Sequence, residues 1–315
     1  ALGWLLTAGQ VIKAADMACA LRVFWQRHGH YSEGLNWLRQ TLEQMTEQAV
    51  PDTLRARTLQ ATAALAYRQG DWQRSRQWLM ESLALFKAAS DQPGMTRVLF
   101  ELGWIAVDQA DWAEAARFNE ESLLLAREAG DPCAVYQALT NLGWTQMCIG
   151  QQDTAAALFD EAYALAQRVG HTKGVAVSLA NLGWIALYQG DTVRAAALAQ
   201  ESLRLCHLLG ERELLAECLE ILAVAAVEAG DINRAVQLGG AAEAAWEALH
   251  LTRPRAQDAA WPYSQAIETM HQQLAEADFE SAWRQGRAMN PEALVGFALN
   301  CRGARVAPQR VSARP

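Results

Sequence analysis

The sequence is poor in residues that stop helices and poor in the charge that binds phosphate. Its 315 residues include only 8 prolines, while alanine and leucine dominate, which is typical of helical proteins. A net charge of −8 argues against nucleic-acid binding by most of the chain, because affinity for phosphate backbones comes from Lys and Arg. Hydrophobic residues still make up 51% of the chain, so a large core can form, either as two packed domains or as a stack of repeats.

Cysteine and histidine are sparse and scattered. The 6 cysteines show neither a C-x-x-C spacing nor a ladder of disulfide spacings, so we expect buried, reduced thiols in a cytoplasmic protein. His28 and His30 form the only close histidine pair, but residues two apart do not share a helix face. Zinc needs three or four convergent ligands, so a plain turn is expected here, with no metal site.

Signals for secretion, membrane insertion and catalysis are missing as well. Lys13, Asp16 and Arg22 interrupt the apolar start before a membrane-spanning run can form. The chain begins without methionine and as if inside a helix, so we expect it to be a segment of a longer protein. There is no Walker motif, and Gly170–Gly174 lacks the glycine spacing of one. We therefore expect no enzyme activity and no cofactor.

What the sequence does contain is a repeat of 40 residues. The string Leu-Gly-Trp recurs with its tryptophan at positions 104, 144 and 184. The same step relates Glu-Ser-Leu strings that begin at Glu81, Glu121 and Glu201, and two-residue turns that begin at Gly70, Ala110, Gly150, Gly190 and Gly230. A register kept over this length predicts stacked helical units.

Each unit parses into two helices. In the unit from Asp131 to Gly170, Asp131 is a suitable N-cap and Pro132 fits the first helical position, where its missing N–H costs nothing. Gly150 can adopt the left-handed conformation that ends the first helix, and Gly170 ends the second. Six pairs are predicted, with the first truncated, at about 14–48, 52–90, 92–130, 132–170, 172–210 and 212–250.

The register is lost after residue 250. Helical patterns continue at about 262–275, 277–287 and 291–299, the last with Asn290 as N-cap and Pro291 after it. A solenoid needs a cap to close off its last apolar surface, so we assign 1–250 to the solenoid and 251–301 to capping helices. Residues 302–315 carry arginine, proline and no acid, and they are predicted to be a disordered basic tail or linker.

The repeat resembles the tetratricopeptide repeat. Leu139-x2-Leu142-Gly143, a Gly-Asp turn and a small residue such as Ala155 in the second helix follow its pattern, although the period is 40 instead of 34 and the leading tryptophan is leucine. The resemblance implies an all-α fold, a right-handed α-solenoid of tetratricopeptide-like helix pairs with a C-terminal helical cap. It also implies that one side of the first helices lines a concave groove.

Two end segments resemble a particular class of tetratricopeptide protein. Leu21–Leu38 is similar to the first repeat, and Phe279–Leu294 to the closing helices, of sensor arms in bacterial STAND-type signal-transduction ATPases and LuxR-family transcriptional regulators. The resemblance implies a non-catalytic sensor arm whose groove binds a protein, a peptide or a small-molecule inducer. A nucleotide-binding domain would precede it and a helix-turn-helix would follow; the arm itself would bind neither nucleic acid nor membrane. The alternative is a stand-alone scaffold for protein–protein interaction that binds a peptide or helix.

The tryptophans of the Leu-Gly-Trp strings are the main candidates for binding. At about 100° per residue, each points away from the leucine and glycine of the buried seam. The face that they define would be a pocket of rigid aromatic surface with polar tips, or the indoles would be buried as packing between helices. Its candidate residues are Trp104, Trp144, Trp184, Phe100, Arg97, Gln137, Thr140, Asn141, Asn181 and Tyr188.

Charge along this face is uneven. Arginines occupy it in the early repeats (Arg57, Arg68, Arg97), and glutamates occupy it in the sixth (Glu217, Glu220, Glu228). The pattern is either scattered surface charge or a bipolar groove that favours a partner of complementary charge.

Overall fold

The computed structural model describes residues 1–249 and 261–300, which form sixteen α-helices and no strand. They fall into two compact units, unit 1 at Ala1–Gln151 and unit 2 at Gln152–Pro315. Unit 1 contains α1 (Leu2–Thr7), α2 (Val11–Arg27), α3 (Tyr31–Met45), α4 (Asp52–Arg68), α5 (Trp72–Ala88), α6 (Gln92–Asp108), α7 (Trp112–Ala129) and α8 (Pro132–Cys148). Unit 2 contains α9 (Gln152–Arg168), α10 (Thr172–Tyr188), α11 (Thr192–Leu209), α12 (Arg212–Glu228), α13 (Ile232–Leu249), α14 (Pro262–Gln273), α15 (Glu276–Arg287) and α16 (Pro291–Leu299).

The all-α class and the succession of helix pairs are as predicted. First helices (α2, α4, α6, α8, α10, α12) alternate with second helices (α3, α5, α7, α9, α11, α13). The first pair is not truncated, because α2 has the same 17 residues as α4 and α1 precedes it. Buried Val11, Ala14 and Ala18 continue the helical spacing of apolar residues towards the start of α2. Helix α2 thus begins at Val11, before the predicted start of the first pair at about residue 14.

Turns between helices follow the predicted chemistry. Asp131 caps α8 by accepting hydrogen bonds from two backbone N–H groups, and Pro132 takes the first helical position. Gly150 adopts a left-handed φ of 81° at the end of that helix. Ala110 holds the same position two helices earlier with a φ of 56°, a conformation that costs an L-residue roughly 1 kcal/mol.

The serine of the Glu-Ser-Leu strings joins the two helices of a pair. Its hydroxyl is buried and donates to a backbone carbonyl 26 residues earlier, on the first helix of the same pair. These bonds are Ser82 Oγ to Ala56 O at 2.8 Å, Ser122 Oγ to Thr96 O at 3.2 Å, and Ser202 Oγ to Ala176 O at 2.8 Å. The recurring string thus marks a recurring contact between helices.

The capping helices pack closely on the last repeats of unit 2. Helix α14 packs against α12 and α13, α15 against α13, and α16 against α11. A Cβ at Gly286 would lie 1.9 Å from the carbonyl oxygen of Gln237, and one at Gly240 would lie 2.3 Å from that of Trp283. Only glycine permits this approach of α15 to α13. The predicted boundary after residue 250 stays a prediction, and the predicted tail at 302–315 lies outside the described residues.

Candidate functional site

The three tryptophans of the Leu-Gly-Trp strings that keep the 40-residue spacing have different surroundings. Trp104 on α6 and Trp144 on α8 are half-buried, so each keeps part of its surface exposed in unit 1. Trp184 on α10 in unit 2 is only 1% exposed. Of the two alternatives for the indoles, burial as packing between helices therefore describes Trp184, and an exposed ring face does not.

Trp184 is enclosed by a residue from the capping region. The ring of Trp261, immediately before α14, lies 4.4 Å from the ring of Trp184 between centroids, with the planes tilted by 45°. Tyr188 meets Trp261 edge-on at 6.1 Å. Trp261 is itself 4% exposed, so the two indoles bury each other. In unit 2 the indole on α10 is thus covered by the chain itself.

The polar candidates beside the tryptophans are structural. Asn141 is 2% exposed, and its Nδ2 donates to the carbonyl oxygen of Phe100 at 3.3 Å and to Asn119 Oδ1 at 3.5 Å. Thr140 is buried and donates to the carbonyl oxygen of Tyr136 at 2.9 Å within its own helix. Asn181 is equally buried in unit 2. Of the two alternatives for this face, burial as packing therefore applies to these three side chains, whereas Phe100, four residues before Trp104, stays half-buried.

The remaining candidates stay accessible. Arg97 and Gln137 are exposed and Phe100 is half-buried, all in unit 1, while Tyr188 is half-buried in unit 2. We call the accessible residues on one side of α4, α6 and α8 the unit-1 face. It comprises Arg57, Gln60, Arg97, Phe100, Trp104, Gln137 and Trp144.

A carboxyl group lies just beneath this face. Glu101 Oε1 accepts a hydrogen bond from Gln60 Nε2 at 2.9 Å, whereas Oε2 is buried and has no partner among the described residues. Burial raises the pKa of Glu101 to about 7, against the opposing effects of Arg22, the Gln60 hydrogen bond and Arg97. At neutral pH this carboxyl is therefore only partly charged.

The unit-1 face is basic. Arg57 and Arg97 are exposed on neighbouring helices, and the nearest acid to Arg57 is Asp16 at 3.5 Å. Asp108 accepts a hydrogen bond from the Tyr67 hydroxyl at 2.5 Å, and burial raises the pKa of this carboxyl. Asp16 is thus paired with Arg57 and Glu101 is only partly charged, whereas Asp108 lies four residues after Trp104 on α6. The positive charge of the face is therefore concentrated at Arg57 and Arg97.

The glutamates of unit 2 are more buried than the sequence suggests. Glu220 is 3% exposed and accepts a hydrogen bond from Trp246 Nε1 at 2.9 Å. Burial, reinforced by Glu213, Glu220 and Cys206, raises the pKa of Glu217 to about 8. Of the three predicted glutamates, only Glu228 is exposed. Glu220 therefore cannot contribute to an acidic end of an open groove. The offset of 26 residues between Glu220 and Trp246, the same as for the serine bonds, is a signal that could have revealed this pair.

Groups that could support chemistry are few. His28 and His30 are exposed and stack against Phe24, with centroids 4.6 and 6.0 Å from its ring. Within residues 1–249 and 261–300 no three His, Cys, Asp or Glu side chains come together as metal ligands would. Cys218 donates to the Ser202 hydroxyl at 3.2 Å inside the core of unit 2. None of the described helices combines the length and apolarity needed to span a bilayer.

Comparison with known families finds a match over part of the chain. A tetratricopeptide repeat model matches residues 54–128 and 135–207. The matched segments run from α4 to α11, so they include Trp104, Trp144 and Trp184. No curated protein sequence shows significant similarity to the chain.

Solved tetratricopeptide-like structures share the fold at low identity. BtubC from P. vanneervenii is 19% identical, with a TM-score of 0.52 over 78% of this chain and 93% of that one. The apo form of RapI is 12% identical, with a TM-score of 0.60 over 81% and 97%. The Rap conjugation gene regulator of plasmid pLS20, in complex with the Phr* peptide, is 12% identical, with a TM-score of 0.58 over 81% and 74%. At these identities the likeness establishes the solenoid fold alone.

Proposed function

We propose that this chain is a non-catalytic scaffold that holds a segment of a partner polypeptide on the unit-1 face. The observation that carries the proposal is the half-buried Trp104, with Phe100 four residues before it and the exposed Arg97 one turn further on. Aromatic residues and arginine are enriched at protein interfaces, and tryptophan and arginine are among the residues that contribute most of the binding energy there. The repeat match and the likeness to a Rap regulator in complex with a peptide support the same class of function.

The test is selection of peptide ligands followed by substitution. A library of random peptides displayed on phage is selected on the purified chain, and the affinities of the recovered peptides are measured by fluorescence anisotropy. Trp104→Ala should weaken binding by about ten- to a hundred-fold, as expected for a central aromatic anchor. Trp112, half-buried at the start of the second helix α7, provides the matched control. Equal losses in Trp104→Ala and Trp112→Ala, or recovery of no binding peptide, would contradict the proposal.

We further propose that the scaffold serves as the sensing arm of a longer signal-transducing transcriptional regulator. The support is the resemblance of the segments Leu21–Leu38 and Phe279–Leu294 to the ends of such arms. A ligand switches such a protein only if it binds one arrangement better than the other. The sequence of the gene on either side decides this proposal. A nucleotide-binding domain before the chain and a helix-turn-helix after it are expected; their absence would favour the stand-alone scaffold. On either proposal, the purified chain should turn over no ATP.

A further inference from the structure

We infer that the unit-1 face selects a polypeptide segment that offers an aromatic side chain to Trp104 and an acidic side chain to Arg57 and Arg97. This inference rests on the proposed function, since it names the chemistry of the ligand for the same face. It is carried by two independent observations, an aromatic contact inside unit 2 and the charges of unit 1.

Unit 2 shows what this register position can hold. Trp184 stands two 40-residue repeats after Trp104, and it packs against the indole of Trp261 at 4.4 Å with little exposed surface left on either ring. Tilted aromatic pairs at such distances are favourable beyond the apolar area that they bury. The backbone at Trp104 has the same helical conformation, so its indole can receive an aromatic ring in the same way.

In unit 1 the corresponding surface is larger and accessible. Trp104 stays half-buried, and the described residues place no aromatic ring against it. Phe100, four residues before it on the same side of α6, is also half-buried, whereas its counterpart in unit 2 is the buried Ala180. A phenylalanine and an indole therefore border the space that an incoming ring would fill.

Charge fixes the second requirement. Arg97 is exposed and forms no ion pair with a described residue, while Arg57 and Asp16 hold a long contact of 3.5 Å with side chains 49% and 56% exposed. Such exposed pairs are weak and exchange readily. An acidic ligand residue can thus engage both arginines without breaking a strong contact. A basic residue would be repelled, although the chain as a whole carries −8.

The spacing of the two features on α6 defines a probe. Arg97 and Trp104 are seven residues apart, which is about 10.5 Å along a helix. An extended peptide spans this distance in about three residues. The probe is therefore a fluorescein-labelled heptapeptide, Ala-Asp-Ala-Ala-Trp-Ala-Ala with blocked ends, together with the same peptide in reversed order. The comparison peptides replace its aspartate by lysine or its tryptophan by alanine.

Fluorescence anisotropy on the complete chain tests the inference. The acidic tryptophan peptide, in at least one of the two orders, should bind about tenfold more tightly than either comparison peptide. Arg97→Glu should reverse the preference between the aspartate and lysine peptides. Arg74→Glu changes the net charge equally at an exposed position of the second helix α5, and it should leave the preference unchanged. Trp104→Ala should weaken every tryptophan peptide, with a thermal unfolding curve to show that the variant is folded.

Two failures are distinguishable. Equal affinity for aspartate and lysine peptides, or a preference that Arg74→Glu changes as much as Arg97→Glu, would overturn the inference. Phage-selected peptides could then still bind through Trp104, and the proposed function would stand. If neither the probe peptides nor any phage-selected peptide binds, the inference and the proposed function are both overturned.

Discussion

The glycines of the Leu-Gly-Trp strings at positions 103 and 183 share a register position, yet an added methyl group should have opposite effects at the two. Gly103 lies inside α6 and Gly183 inside α10, and both are buried. Alanine in place of glycine in a helix interior contributes about 1 kcal/mol through propensity at either site. The difference must therefore come from what the new Cβ contacts.

At Gly103 the new Cβ would lie 2.1 Å from Asn119 Oδ1 and 2.8 Å from its Cγ. Asn119 is fully buried and donates through Nδ2 to Thr145 Oγ1 at 3.1 Å, so its side chain cannot move without losing that bond. A buried group left without its hydrogen bond costs about 1–3 kcal/mol, and forced overpacking costs about as much again. After the gain in propensity, Gly103→Ala should lower the free energy of unfolding by about 2–4 kcal/mol.

At Gly183 the closest atom to the new Cβ is the terminal Cδ1 of Ile221 at 3.3 Å, followed by the carbonyl oxygen of Ala195 at 3.6 Å. A terminal methyl group can shift by a few tenths of an ångström. Gly183→Ala should therefore be neutral or should stabilise unit 2 by up to about 1 kcal/mol.

Urea denaturation followed by circular dichroism measures both variants, with separate transitions fitted if the units unfold independently. The double variant Gly103→Ala/Asn119→Ala should lose less unfolding free energy than the two single variants lose together, because removal of the amide makes room for the methyl group. If Gly183→Ala costs as much as Gly103→Ala, the glycine is needed for a shared backbone reason and the contact argument is refuted.

Three further changes have expected outcomes. Ala110→Gly should raise the free energy of unfolding by about 1 kcal/mol, because the residue has a left-handed φ of 56°; an unchanged urea midpoint would contradict this. Gly286→Ala should release α15 from α13, because its Cβ would lie 1.9 Å from the carbonyl oxygen of Gln237; limited proteolysis should then cut the capping helices faster, and equal rates would show that the contact is not needed. Glu101→Gln should flatten the dependence of stability on pH. The folded-state pKa of about 7 exceeds the ordinary value of 4.5, so between these pH values the native chain binds more protons than the unfolded chain. Its stability therefore falls as the pH rises from 4.5 to 7, by at most about 3 kcal/mol. The same slope in both proteins would contradict the pKa.

The sequence was sufficient for the features that each repeat carries within itself. The cap at Asp131, the proline after it and the left-handed Gly150 depend on local chemistry, and all three are found in the structure. The buried seam of leucine and glycine follows from helical periodicity alone. Such features could be predicted because a 40-residue period repeats their cause along with their residues.

The same period was a poor guide to the outward side of the first helices. The burial of Trp184 depends on Trp261, which lies beyond the repeats and has no counterpart in the register. Asn141 resembled a polar groove residue, but its amide donates to Asn119 on the neighbouring helix. The next two repeats have no asparagine at the position that corresponds to Asn119. Contacts between residues far apart in sequence decided each case, and one-dimensional periodicity contains no information on them.

This contrast also indicates where function resides in the chain. A position that repeats for packing must meet the same neighbours each time, and the leucine before each glycine does so, since Leu102, Leu142 and Leu182 are all buried. The tryptophan that follows has no such uniform surroundings, because it is half-buried at 104 and enclosed at 184. Burial in unit 2 needs a residue from outside the repeat, so the indole is not required by the helix pair itself. A large aromatic residue that the pair does not need for its own packing is available for another contact. In unit 2 the ring of Trp261 makes that contact. Under the proposed function, a separate polypeptide binds in unit 1 at the exposed surface of Trp104, beside Phe100 and Arg97.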